Sequence, residues 1–161
     1  MTVAVRPVVA EDRAWVERFV RERWGAEDVV TRGTIRRPAD LPGVVAFDEA
    51  GPVGLLTYQV EGDACEIVTI DAVRRRVGIG SALLDEVAAL ATAAGCTSLH
   101  LITTNDNRTA LAFYRARGFA VVAVHEGAVD AARLLKPSIP LLGEDGVPIH
   151  DEIELSRALS R

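Results

Sequence analysis

Gly78 and Gly80 follow three consecutive arginines, Arg74, Arg75 and Arg76, and open an apolar run. Residues of these types at this spacing can bind a phosphate or a pyrophosphate. Two glycines remove the side chains that would keep a ligand away from the backbone. Ile79, Leu83, Val87 and Leu90 recur at helical spacing, so a helix starts at the glycines. The N-terminus of a helix presents unpaired N–H groups and a partial positive charge, to which the arginines add full charge. Before them, Ile67, Val68, Thr69 and Ile70 are β-branched and suit a pleated strand. Strand, glycine turn and helix together describe an anion site.

The type of phosphate ligand can be narrowed. A dinucleotide fingerprint needs a third glycine where this chain has Leu83, and an acidic residue after a second strand. The second strand here, near Leu99, ends in Thr103-Thr104-Asn105. A Walker loop needs Gly-Lys-Ser/Thr, which is absent. The pattern Arg75-x-x-Gly78-x-Gly80 resembles the acyl-CoA pyrophosphate loop of the GNAT family of N-acetyltransferases. Residues 97 to 119 resemble that family's next segment: a strand, then Asn107-x-x-Ala110, Phe113-Tyr114 and Gly118-Phe119. The two segments span residues 66 to 119, about a third of the chain, in the family's order.

The resemblance implies an α/β fold of the α+β type, with a central mixed, mostly antiparallel sheet flanked by helices. It implies transfer of an acetyl group from acetyl-CoA, as co-substrate, to an amine, with no metal. Such a reaction needs a neutral amine, a donor for the carbonyl oxygen and a proton for the departing sulfur. Backbone N–H groups of Val77, Gly78, Ile79, Gly80 and Ser81 would hold the pyrophosphate, with Arg75 and Arg76 beside it. Backbone groups of Ile70, Asp71, Ala72 and Val73 would pair with the pantetheine arm as an added strand. Asn107 matches a CoA-side asparagine, and also suits a plain helix cap. Tyr114 matches the tyrosine placed near the sulfur, the candidate general acid, and also suits core packing. Glu66 stands where some members carry a catalytic glutamate; a shift of one residue in register would turn it to the opposite face. His125, Glu126 and His150 are weaker candidates for the base, and a water chain can replace a dedicated one. An acyl-enzyme on Cys65 or Cys96 is a further option.

Composition sets outer limits. The chain has 161 residues, enough for one domain with its own core, and 49% are hydrophobic. Residues 1–161 are expected to form a single domain. Lys and Arg number 18 against 23 Asp and Glu, a net charge of −5, which argues against a nucleic-acid partner. No apolar run of membrane-spanning length and no leader pattern occur in the sequence, so a cytoplasmic enzyme with no membrane partner is expected. A homodimer rests on analogy with the family.

The remaining elements are expected in this order. Val3 to Val9 is a strand, and the following helix carries Val16, Phe19, Val20 and Trp24 and ends at Gly25. Residues 26 to 42 have no clear pattern. Arg32, Arg36 and Arg37 there can meet an anionic substrate or simply face solvent. Val44 to Phe47, Val53 to Val60 and residues 64 to 71 form an antiparallel meander before the glycine loop, unlike a doubly wound sheet. Asn105, Asp106 and Asn107 supply caps for the helix bearing Tyr114. After a strand at 119 to 124, an insertion with a short helix precedes the last strand, at Glu152 to Leu155. The leading function is an N-acetyltransferase acting on a small amine. Alternatives are a catalytically silent CoA-binding sensor or regulatory module, a protein N-acetyltransferase, and a different phosphate-binding enzyme such as one that takes a nucleotide.

Overall fold

The computed structural model describes residues 3–73 and 78–159. The architecture is mixed α/β, with mostly antiparallel sheet flanked by helices. It divides into two compact units. One holds the described residues of Met1–Val29, Arg37–Leu99 and Leu159–Arg161; the other holds Val30–Arg36 and His100–Ala158.

The first unit begins with β1 (Ala4–Pro7) and, after a single 3-10 turn at Ala10–Asp12, α1 (Arg13–Trp24). Asp12 fixes this entry. Its carboxylate takes both guanidinium nitrogens of Arg6, at 2.7 and 3.0 Å, and the N–H of Val9 at 2.9 Å. The Arg6 hydrogen bonds hold the Asp12 carboxyl below its usual range. Gly25 closes α1 in the left-handed region, φ 78°, as the sequence predicts. β4 (Gly43–Asp48), β5 (Gly51–Glu61) and β6 (Ala64–Ala72) form the expected antiparallel meander, and β1 pairs with β4. α2 (Ile79–Ala93) follows.

Helices cover both faces of this meander. Val16, Phe19 and Val20 of α1 pack on Leu55. From the other face, Ile79 and Leu83 of α2 close on Gly54, where a Cβ would lie 2.7 Å from Ile79 Cγ2. Leu55 and Leu56 are adjacent in β5 and both are buried, because each face has its own helix. Each such leucine contributes on the order of 1.5–3 kcal/mol by leaving water.

The β5–β6 ladder contains a bulge. Thr57 opposes Thr69 but Tyr58 opposes Ile67, so Val68 is the extra residue. Glu66, Thr69 and Asp71 therefore share the face of their partners Gln59, Thr57 and Leu55, which is the face of α1. On that face the buried hydroxyls of Thr57 and Thr69 bond to each other at 2.7 Å.

The second unit contains β7 from His100 onward (the strand is Ser98–Thr104), α3 (Arg108–Ala116), β8 (Ala120–His125), α4 (Ala128–Leu135) and β9 (Glu152–Ala158). β9 lies between β7 and β8, antiparallel to β8. Two short strands were not anticipated: β2 (Val29–Thr31) and β3 (Thr34–Arg36) form a hairpin in the stretch without a clear pattern. Its two-residue turn has φ 50° at Arg32 and φ 73° at Gly33, the signs a type I′ turn requires. Glu152, only 3% exposed, accepts the Arg32 N–H at 3.1 and 3.3 Å and its guanidinium at 3.5 Å.

Candidate active site

The candidate anion site falls at the start of α2, the helix that follows β6 in sequence. Gly78 caps α2 with φ 82°, a left-handed conformation that favours glycine. The Ala82 N–H donates to the Gly78 carbonyl at 3.0 Å, so the N–H groups of Ile79 and Gly80 lie ahead of the helix's own ladder. The first turn carries no acidic residue. An anion there meets peptide N–H groups and the positive end of a helix of 15 residues. Arg74, Arg75, Arg76 and Val77 lie outside the described residues.

The register of β6 sorts the backbone groups expected to meet the pantetheine arm. The Val73 N–H donates to the Val53 carbonyl at 2.9 Å. Pairs alternate along an antiparallel ladder, so Val73, Asp71 and Thr69 direct their peptide groups into β5. Ile70 and Ala72 direct theirs away from β5. Only these two of the four have the orientation an added strand needs.

Glu66 is half-buried opposite Gln59, on the same face as Asp71. Asn107 and Tyr114 belong to the second unit. Asn107 does cap α3, its side-chain oxygen accepting the Ala110 N–H at 3.3 Å. Tyr114 is 7% exposed, with its ring edge-on to Phe113 at 5.3 Å and Phe119 at 5.6 Å between centroids. Asn105 and Asp106, expected as further caps, instead fasten the insertion. Asn105 accepts the N–H groups of His150 and Asp151 and donates to the Pro148 carbonyl at 2.9 Å. Asp106 accepts the Glu144 N–H at 3.1 Å and lies so close to Gly143 that a Cβ there would overlap its carboxylate.

Several alternatives can be weighed directly. Arg32 engages Glu152 and Arg37 engages Glu27 at 3.2 Å, so both have carboxylate partners within the chain. His125 pairs with Glu154 at 3.1 Å and exposed His150 with Asp130 at 3.2 Å. Cys65 and Cys96 are buried, and burial pushes the Cys65 thiol up to about 12. At pH 8 the thiolate is then on the order of one molecule in ten thousand, which opposes an acyl-enzyme on Cys65. Treatment with iodoacetamide at pH 8 is expected to modify neither buried thiol and to leave transfer unchanged. Loss of transfer in step with alkylation of Cys65 would establish the covalent route. Among the described residues, no His, Cys, Asp and Glu cluster could hold a metal, and no helix is long and apolar enough to cross a membrane.

Sequence reading missed Arg23 and Gly54. Arg23 reaches from the last turn of α1 to the end of β6, donating to Asp71 and Ala72. No local pattern marks it. Gly54 did carry a signal, since glycine inside an apolar strand run often marks a close approach.

Comparison with known proteins shows the family. The model of the Acetyltransferase (GNAT) family matches residues 9–119. The chain belongs to that family. It is 42% identical over 142 residues to the uncharacterized protein YdhI of Bacillus subtilis, covering 88% of this chain and 89% of the relative. Among solved structures, the IAA acetyltransferase from Bacillus cereus superposes with a TM-score of 0.72 at 18% identity, covering 98% of this chain and 100% of the other. A GNAT family acetyltransferase from Elizabethkingia anophelis, with acetyl-CoA bound, gives a TM-score of 0.68 at 18% identity and 98% coverage of both chains.

Proposed function

We propose that the protein is an acyl-CoA-dependent N-acetyltransferase that moves the acetyl group of acetyl-CoA to a primary amine of a small acceptor, by direct attack in a ternary complex. The observation that carries this reading is the start of α2. Gly78 is left-handed, no carboxylate occupies the first turn, and the N–H groups of Ile79 and Gly80 lie ahead of the helical ladder. Membership of the family and the acetyl-CoA in the Elizabethkingia structure support the same ligand.

In this reading residues 1–161 act as one catalytic domain in the cytoplasm. Acetyl-CoA supplies the acyl group. The N-terminus of α2, with Gly78, Ile79, Gly80 and Ser81, binds the pyrophosphate, and Arg75, Arg76 and Val77 extend that site by their sequence match. Ile70 N–H and C=O align the arm along β6. Tyr114 is assigned the proton for the departing sulfur and Asn107 a contact on the CoA side, both from the sequence motif. Glu66 is assigned the removal of the amine proton, directly or through water.

Calorimetric titration with acetyl-CoA, beside ATP and NAD, tests the reading. Selective binding of acetyl-CoA, lost in Gly80→Glu, is the expected result. A folded protein that binds ATP or NAD and not acetyl-CoA would overturn it. Turnover with amines separates an enzyme from a silent CoA-binding module, and acetylation of proteins but of no small amine would transfer the assignment to a protein N-acetyltransferase.

A further inference from the structure

Arg23 and Asp71 together engage the peptide groups that β6 turns away from β5 at its C-terminal end. Arg23 Nη2 donates to Asp71 Oδ1 at 2.8 Å and to the Ala72 carbonyl at 2.9 Å. Asp71 Oδ1 also accepts the Ala72 N–H at 3.0 Å. Both backbone groups that Ala72 turns away from β5 are thus engaged within the chain. The next outward-facing residue back along the strand is Ile70. The Asp71 side chain is 24% exposed, and its strand ends one residue later, a short distance in sequence before the positive end of α2. A bare carboxylate here would repel an anion arriving at that helix end. The guanidinium of Arg23, which also lies over the Phe19 ring, cancels it.

We propose that Arg23 is a positioning residue for CoA: with Asp71 it ends the ladder that the CoA arm can add to β6 at Ile70, and it neutralises the carboxylate at the entrance to the anion site. The proposal rests on the acetyl-CoA reading above. It extends the site to α1, an element outside the motif, and narrows the arm contact from four residues to one.

The test is titration of the full chain with CoA at low and high salt, using wild type, Arg23→Gln, Arg23→Lys and the Arg23→Gln/Asp71→Asn double variant, with thermal unfolding of each. Arg23→Gln is expected to bind about tenfold more weakly at low salt, the effect of one uncompensated charge near the ligand. At 1 M salt, where the screening length falls to about 3 Å, the deficit shrinks to about threefold or less. The double variant recovers to within about threefold of wild type, because the amide can still accept the Ala72 N–H without the charge. Arg23→Lys keeps the charge and stays within the same range. A deficit that neither salt nor Asp71→Asn relieves would mean a purely structural role and overturn the proposal, as would Arg23→Gln binding as tightly as wild type. Wild-type protein that binds no CoA would overturn the acetyl-CoA reading and this proposal with it.

Discussion

Substituting Gly54 with valine should destabilise the protein by about 1–3 kcal/mol, the usual range for overpacking a core, and weaken acetyl-CoA binding at least tenfold. The new Cβ would sit 2.7 Å from Ile79 Cγ2, 3.2 Å from Leu83 Cδ1 and 3.2 Å from the Asp71 carbonyl. None of the three can yield cheaply. Ile79 and Leu83 are 1% and 0% exposed, and the Asp71 backbone is held in the ladder with β5. The helix must therefore tilt or slide at its first turn, which is where the N–H groups proposed to bind the pyrophosphate are. Denaturant unfolding gives the first quantity and calorimetry the second. A Gly54→Val protein of undiminished stability and affinity would show that α2 can move without disturbing the site, and the close-packed junction would lose its functional meaning.

The second large effect concerns the hydroxyl of Tyr114. Tyr114→Phe should lower turnover about a hundredfold, the low end for loss of a general acid, while the Kd for CoA changes less than about twofold. The substitution keeps the ring. The ring contacts to Phe113 and Phe119 involve the ring carbons and survive it, so the aromatic cluster around α3 stays packed. Unfolding midpoints of the two proteins report any loss of packing separately from the loss of turnover. Steady-state rates with a competent amine, measured across pH, provide the check. Equal turnover in both proteins would reduce Tyr114 to the packing residue that its burial also allows.

The parts of this molecule that could be read from the chain are those with local causes. The spacing of Ile79, Leu83 and Val87 marks α2 because one helical face is buried, and all three are at most 1% exposed. Gly25 and Gly118 mark helix ends because the chain turns left-handed there, at φ 78° and 90°. The meander was legible from its turns. The β2–β3 hairpin was not. Its turn residues are Arg32 and Gly33 rather than Asn and Gly, and the Arg32 N–H is held by Glu152, 120 residues away in sequence.

The site shows the same division. Gly78 is recognisable because the chain turns left-handed there, at φ 82°, where the helix begins. Asn105, Asp106 and Asn107 looked alike as caps, yet only Asn107 is bonded as one within α3. Which of three neighbouring polar residues faces the helix and which the insertion depends on where the chain returns some 40 residues later. The sequence presents Ile70 to Val73 as four equivalent candidates for the contact with the arm. The ladder with β5 makes them two pairs of opposite orientation, a distinction that exists only once a partner strand is known.

The extra residue at Val68 constrains chain length rather than composition. Glu66 and Asp71 are five apart, an odd number, and in an uninterrupted strand they would point to opposite sides. The bulge shifts the phase of the strand by one, so both face α1. Removing one residue among Ile67, Val68 and Thr69 would leave an acceptable strand and keep every assigned residue, yet it would put one end of β6 on the wrong side of the sheet. This segment can therefore drift in sequence but not in length. Anyone grafting the loop after β6 onto another scaffold should carry residues 66 to 72 with it as a single piece.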